Sequence, residues 1–349
     1  MRREARVTAF AALAASLLVI LTACGSSSKG ATSKASGRAV GSGSAVGSGS
    51  SESSNSLGSI KLAFGPVADY LPDEVAYEKG FFQDAGLSVK LVTLANGAAN
   101  IAAVKGGSVD MGGSLLSQAA AARSSGVDLE FVGPGSFQSA GHWESSLAVS
   151  AKSSITSLKQ LFTSGTKTIG VNTLGSTDGS AVNKLAQSVG GSASSIKQVA
   201  IPFPDMITAL EAGHVDAALM TEPFIAEGKS DGSIRILDSA AYSALAPKFF
   251  QAGMVATPAW LSKHADVAGA YASAVEKAVQ WIGSNPTEAR SILASWTKLD
   301  PQVAETVVLP EWSSLSQNLA TIQSTIQVIT DSGLIKTTVP ATDLIYGTN

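Results

Sequence analysis

The chain is poor in the residues that build most reactive centres. Its 349 residues include one cysteine and three histidines, and only 15% are charged and 6% aromatic. One cysteine cannot form a disulfide framework within the chain or a cysteine-ligated metal site. The histidines, His142, His214 and His264, stand far apart without HxH or HxxxH spacing, so no metal-ligand pattern is present. A Gly-x-Ser-x-Gly elbow is absent, and the segment Leu174-Gly175-Ser176-Thr177-Asp178-Gly179 lacks the lysine of a phosphate-binding loop. No catalytic residue, metal or cofactor is expected. No uninterrupted apolar run reaches the ~20 residues of a confident bilayer span.

The charge that is present is unevenly placed. Arg2, Arg3, Arg6 and Glu4 give the first stretch +2, and Lys29, Lys34, Arg38 and Glu52 give the next stretch +2. Removing both from the overall −3 leaves −7 on residues 59–349. An acidic body has no basic patch to neutralise phosphates, which argues against a nucleic-acid partner.

Residues Val7 to Ala23 are uncharged and mostly apolar, follow three arginines and end in small residues, the layout of an export signal over residues 1–23. Leu21-Thr22-Ala23-Cys24 places the single cysteine directly after that segment. The tetrapeptide resembles the bacterial lipobox, which implies cleavage before Cys24, lipidation of its sulfur and anchorage on the extracytoplasmic face of the cell membrane. Gly25 to Gly58 contains 8 glycines and 13 serines and no aromatic residue, so nothing there offsets the entropy of ordering. Residues 24–58 therefore read as a lipidated cysteine on a flexible leash, with an r.m.s. reach of about 30 Å.

From Ser59 onward short apolar runs alternate with helical patterns, the rhythm of an α/β fold with parallel strands. Strands are expected at 59–64, 88–94, 109–112 and 129–132, and after an extended segment at 147–150 again at 168–172, 196–200, 217–221 and 234–237. Beyond Gln251 to Ala256 the pattern is helical, with helices expected over 268–282, 287–296, 301–308 and 315–331. Two sheets joined by two extended crossings define two lobes, 59–149 plus 254–349 and 150–253, with a cleft between them. Such lobes close around a ligand.

Several segments are similar to the solute-binding proteins of bacterial ABC importers for nitrate, sulfonates, taurine and thiamine-pyrimidine precursors. They are Glu78-Lys79-Gly80-Phe81-Phe82, Gly107-Ser108-Val109-Asp110, Ala209 to Ala217, Glu222-Pro223-Phe224, and Asn285-Pro286-Thr287-Glu288-Ala289. The resemblance implies a two-lobed type II periplasmic-binding-protein fold. It further implies a monomer that captures a small polar solute and passes it to a permease with its ATPase subunit. Thr221 departs from the family's usual Trp-Glu-Pro by replacing the aromatic residue. The alternatives are a lipoprotein presenting ligand to a membrane sensor and an enzyme like the fungal thiamine-pyrimidine synthase. The latter uses a cysteine-rich segment that this chain lacks.

Open α/β sheets bind ligands beyond the carboxyl ends of their strands. Asn96, Gly97 and Ala98 follow the second expected strand, Gly113 and Ser114 the third, and Gly175, Ser176 and Thr177 open a helix of the second lobe. Small residues there let ligand oxygens approach free backbone N–H groups, although Ser114 and Thr177 can equally serve as helix caps. Asp69 and Tyr70 lie in the loop after the first strand, where an acidic group facing the cleft favours an amine or ring N–H and repels a small anion. Trp143, beside His142 and beyond Phe137 in an expected long loop, offers an aromatic face or a core contact, and Glu222 completes the candidate set.

Overall fold

The structure is a computed structural model, and residues 56–348 are described. The export segment, Cys24 and most of the leash lie outside the described residues. Among those described, no helix is long and apolar enough to cross a membrane.

Eleven strands form two sheets. They are β1 (Gly58–Ala63), β2 (Leu87–Val92), β3 (Met111–Leu115), β4 (Glu130–Ser139), β5 (Ser145–Ser150), β6 (Lys167–Val171), β7 (Ile196–Ala200), β8 (Ala217–Thr221), β9 (Ile234–Asp238), β10 (Lys248–Ala256) and β11 (Glu311–Ser314). The first sheet runs β11-β4-β10-β3-β1-β2 and the second β7-β6-β8-β5-β9. Each sheet contains three mutually parallel strands, β2-β1-β3 and β7-β6-β8, bordered by one antiparallel strand, β10 or β5. The two lobes thus share one plan, each a mixed α/β sheet.

Local sequence explains the strand positions. In β1, Ile60 and Leu62 are buried while Lys61 between them is exposed, and all five residues of β8 are buried, as expected of a strand covered on both faces. The helix Leu71–Glu78 ends at Lys79, and Gly80 takes φ +75°, a left-handed turn that favours glycine, before Phe81 and Phe82 enter the core. In the 20-residue helix Ala265–Ser284, Val267, Tyr271, Ala274, Val275, Ala278 and Ile282 recur at helical spacing and are buried, so one stripe faces the lobe. Tyr271 stacks on Phe82 at 5.9 Å between ring centroids and donates its hydroxyl to Asp73.

Strand pairing moves the lobe borders expected at 149/150 and 253/254. Ser145–Ser150 pairs with β8 and β9 in the second sheet, whereas Lys248–Ala256 pairs with β3 and β4 in the first. The crossings are therefore residues 140–144 and 239–247. Three further differences have physical causes. Gly133-Pro134-Gly135 reads as a break, yet β4 continues through it to Ser139 by two register shifts against β10, which brings Phe137 into the core rather than a loop. The short β11 adds to the β4 edge within a stretch without strand alternation, and its neighbouring helix is Leu319–Asp331. The expected helix at 301–308 stops at Ala304.

Candidate functional site

A cavity of about 390 Å³ lies between the lobes. Its wall is built from chain that leaves the carboxyl ends of six parallel strands. From the first sheet come Gly65 to Val67 with Asp69 and Tyr70 after β1, Thr93 to Gly97 after β2, and Leu115 at the end of β3 with Gln118 beyond it. From the second come Asn172 after β6, Pro202 to Pro204 after β7, and Thr221 with Phe224 at the end of β8. Gln251, on β10, completes the wall beside the second crossing.

Four of the residues singled out in the sequence, Asp69, Tyr70, Asn96 and Gly97, line this cavity. A short 3-10 turn, Ala68–Tyr70, delivers Asp69 and Tyr70 directly after β1, and the Ala68 N–H donates to the Glu222 carbonyl at 3.1 Å, tying the loop to the opposite lobe. Asn96 is extended backbone at the start of the helix Gly97–Lys105, and its side chain accepts from Ala99 N–H at 3.0 Å. Gly97 is required by close approach, because a Cβ there would lie 2.1 Å from Gln118 Oε1.

The other eight stand off the wall. Ala98 is exposed on the helix surface, and Gly175 is exposed with φ +68°. Gly113 lies behind Tyr70, whose ring would collide with any Cβ at that position. Ser114 donates to the Leu115 carbonyl, and Ser176 donates to the Thr173 carbonyl at 2.7 Å. Thr177 presents its backbone N–H to Ser117 Oγ of the other lobe at 3.1 Å, so a protein hydroxyl takes the place expected for a ligand oxygen. Trp143 packs half-buried against the core, and Glu222 turns back to accept from Ala226 N–H at 3.0 Å and Val308 N–H at 3.4 Å.

Residues the sequence did not point to supply much of the polar wall: Asn100, Gln118, Asn172 and Gln251. Buried amides within apolar runs, such as Asn100 in GAANIAAVK, were the available signal.

Acidic groups gather behind the cavity. Asp69 accepts from the Ser136 hydroxyl, and burial nevertheless raises its pKa. Glu144 is fully buried and receives no hydrogen bond from a donor group. Burial, the neighbouring Asp69 carboxyl and the Glu222 charge push its pKa far up. Asp178, which accepts from Tyr242, is raised by burial to about 6, and Glu222 is raised by burial to about 7. The wall contains no lysine, arginine or histidine. Among the described residues, no group of three or more His, Cys, Asp or Glu side chains is arranged to hold a metal ion.

Two mixed sheets, two crossings and a cavity at the strand ends of both lobes define the periplasmic-binding-protein fold. The chain belongs to the NMT1/THI5-like family, whose model matches residues 68–289, more than half of the sequence. Solved structures agree on the fold. The alkanesulfonate-binding protein SsuA from Xanthomonas axonopodis pv. citri, bound to MOPS, superposes with a TM-score of 0.69 at 17% identity, covering 82% of this chain and 98% of that one. The ligand-binding component of an ABC-type import system from Staphylococcus aureus, with zinc bound, gives 0.71 at 16% identity over 82% and 96%. The periplasmic nitrate-binding protein NrtA from Synechocystis PCC 6803 gives 0.64 at 14% identity over 83% and 92%. Comparison with curated proteins gave no match.

Proposed function

We propose that this chain is an extracytoplasmic solute-binding lipoprotein that captures a small solute between its lobes and delivers it to an ABC permease powered by a separate ATPase. The observation that carries this reading is the cavity itself, walled by both lobes at six strand ends. A solute touching both walls favours the closed arrangement, and that closure is what a permease can sense. On this reading the protein works as a monomer, and it is a binder rather than an enzyme: its wall offers hydrogen-bonding amides and aromatic faces without a nucleophile paired to a base. The neighbours' names place sulfonates and nitrate among the solutes to be tried. The lipobox-like Leu21-Thr22-Ala23-Cys24 supports tethering through Cys24.

Thermal denaturation of the purified chain with a broad solute library tests capture, since a ligand at 100 times its Kd adds about 2.7 kcal/mol. A library in which no member raises the melting temperature contradicts the reading. Mass spectrometry of the mature protein tests the anchor, for which an intact Met1 to Ala23 segment is the contrary result.

A further inference from the structure

Behind the cavity, one short segment leading into β11 touches the second lobe, both crossings and the loop that carries Asp69. Val308 N–H donates to Glu222 Oε1 of the second lobe at 3.4 Å. The Leu309 carbonyl lies 3.0 Å from His142 Nδ1 in the first crossing. Glu311 accepts from Lys248 Nζ at 2.6 Å and from the Ser139 hydroxyl at 3.3 Å. Trp312 Nε1 donates to the Asp69 carbonyl at 2.9 Å. Each of these residues thus holds a different element, and Pro310 among them has no N–H to offer.

The partners are themselves connected. Ser139 and Lys248 face each other as the last pair of the β4–β10 ladder, and from that pair both crossings, 140–144 and 239–247, leave the first sheet. One carboxylate therefore bridges the roots of both. Trp312 pairs with Ser136 of β4, whose hydroxyl donates to the Asp69 carboxyl while Trp312 holds the carbonyl of that same residue. Asp69 is gripped from two adjacent strands. A ring of contacts closes behind the wall: Trp312 to the Asp69 carbonyl, Ala68 N–H to the Glu222 carbonyl, the Glu222 carboxylate to Val308 N–H, and along the backbone back to Trp312. Asp69 on one lobe and Thr221, next to Glu222, on the other both line the cavity. A solute that touches both acts on two points of that ring.

We infer that Val308–Trp312 is the clasp of the hinge, in which Glu311 fixes the roots of both crossings and Trp312 is a positioning residue that ties the Asp69 loop to the angle between the lobes. The inference rests on the solute-binding reading above and adds the element that transmits closure. Neither Glu311 nor Trp312 lines the cavity, so both act on a solute through the Asp69 loop. Their weights differ. The Lys248 and Glu311 side chains are 34% and 38% exposed, a pair of small effect, whereas the half-buried Trp312 donor leaves a backbone carbonyl unpaired when it is removed.

The test needs no solute. Hydrogen exchange read by mass spectrometry on the full chain compares wild type with Trp312→Phe, which keeps an aromatic ring and removes the donor. Trp260→Phe is the control, since it deletes an indole bond of similar exposure, to Asp110 at 3.1 Å, outside the ring of contacts. In Trp312→Phe the peptides containing Ala68 and Val308 should exchange at least about fivefold faster, while β6 and β7, remote from the clasp, keep their wild-type rates. Trp260→Phe should leave the Ala68 and Val308 peptides unchanged. Glu311→Gln should speed exchange about twofold in both crossings together, because one side chain holds both roots. Wild-type rates at Ala68 and Val308 in Trp312→Phe, a rise spread evenly over all strands, or an equal rise there in Trp260→Phe each overturn the clasp. If circular dichroism shows that Trp312→Phe does not fold, Glu311→Gln decides: faster exchange in both crossings upholds the clasp, and in one or neither overturns it. The solute-binding reading stands or falls separately, on the solute library.

Discussion

Gly113 tests whether the Tyr70 ring is the floor of the cavity. The backbone at Gly113 lies outside the left-handed region, so alanine is conformationally acceptable there and its only cost is contact. Its Cβ would sit 2.5 Å from Tyr70 Cζ and 2.6 Å from the hydroxyl oxygen. Ordinary contact begins near 3.4 Å, so the ring must retreat by roughly 1 Å. The direction of retreat follows from packing. Phe64 flanks the ring at 5.6 Å between centroids, and the open space of about 390 Å³ lies on the cavity side. Gly113→Ala therefore pushes Tyr70 into the volume the solute needs. Overpacking of this kind costs about 1–3 kcal/mol. If a ligand must reverse the shift, a cost of about 2 kcal/mol corresponds to about 30-fold in affinity. The expected outcome is a urea midpoint lowered by that stability loss and calorimetric binding weakened by at least about tenfold, measured with whichever solute the library identifies. Stability within about 0.5 kcal/mol of wild type together with unchanged affinity would refute the placement of Tyr70 against Gly113.

The other expectations concern stability. Burial raises Asp73 from its ordinary 3.8 to about 7 despite the Tyr271 hydroxyl, so the folded protein holds a proton that the unfolded chain has released. That contribution is fully present below pH 3.8, is lost progressively as pH rises from there to 7 and is gone above it, amounting to about 2.5 kcal/mol between pH 5 and 8. Asp178 and Glu222 act in the same sense, and urea titrations at the two pH values should show the fall, reduced in Asp73→Asn; a rise with pH contradicts the assignment. Gly269→Ala, in the second turn of the helix Ala265–Ser284 with no atom within 4 Å of the added Cβ, should stabilise by about 0.5–1 kcal/mol, and a lowered melting temperature would show otherwise. Ser117→Ala removes the acceptor that one lobe gives to Thr177 N–H of the other, so unfolding should become easier by about 0.5–2 kcal/mol and small-angle scattering should report a larger radius. An unchanged radius and unchanged stability would mean that this contact holds nothing closed.

Alternation of apolar runs with helical patterns made most strands legible, because each lies in one continuous apolar segment and needs little information from elsewhere in the chain. β8 and β7 appear at the residues expected. What failed to read were features decided by distant partners. Whether Gln251 to Ala256 crosses between lobes or pairs within one depends on β3 and β4, more than a hundred residues away in sequence, and β11 exists only because the edge of β4 is open to it. The same division runs through the site. Asp69, Tyr70, Asn96 and Gly97 were legible because they immediately follow strand ends, where any fold of this class exposes chain to the cleft. Asn100, Gln118 and Gln251 were not, since an amide inside a helix or strand is ordinarily a surface group, and only tertiary packing buries it beside a cavity.

The glycine, serine and threonine positions carry the sharper lesson. At Gly175-Ser176-Thr177 the sequence pattern is compatible with an anion at a helix start or with a simple cap, and nothing local separates the two. The deciding residue is Ser117, sixty positions earlier in sequence and on the other lobe. Its hydroxyl satisfies the helix start by joining the lobes, so the feature that would have recruited an oxyanion instead helps close the cleft. Ligand chemistry then passes to the side chains that remain on the wall, the Asp69 carboxyl, the Tyr70 hydroxyl and the Asn100, Gln118, Asn172 and Gln251 amides. A unit negative charge placed 4 Å from an ionised Asp69 would meet a repulsion of about 4 kcal/mol at an effective dielectric of 20, comparable to a thousandfold in affinity. The fold sets where a solute sits; the sign of these few atoms sets which solute can stay.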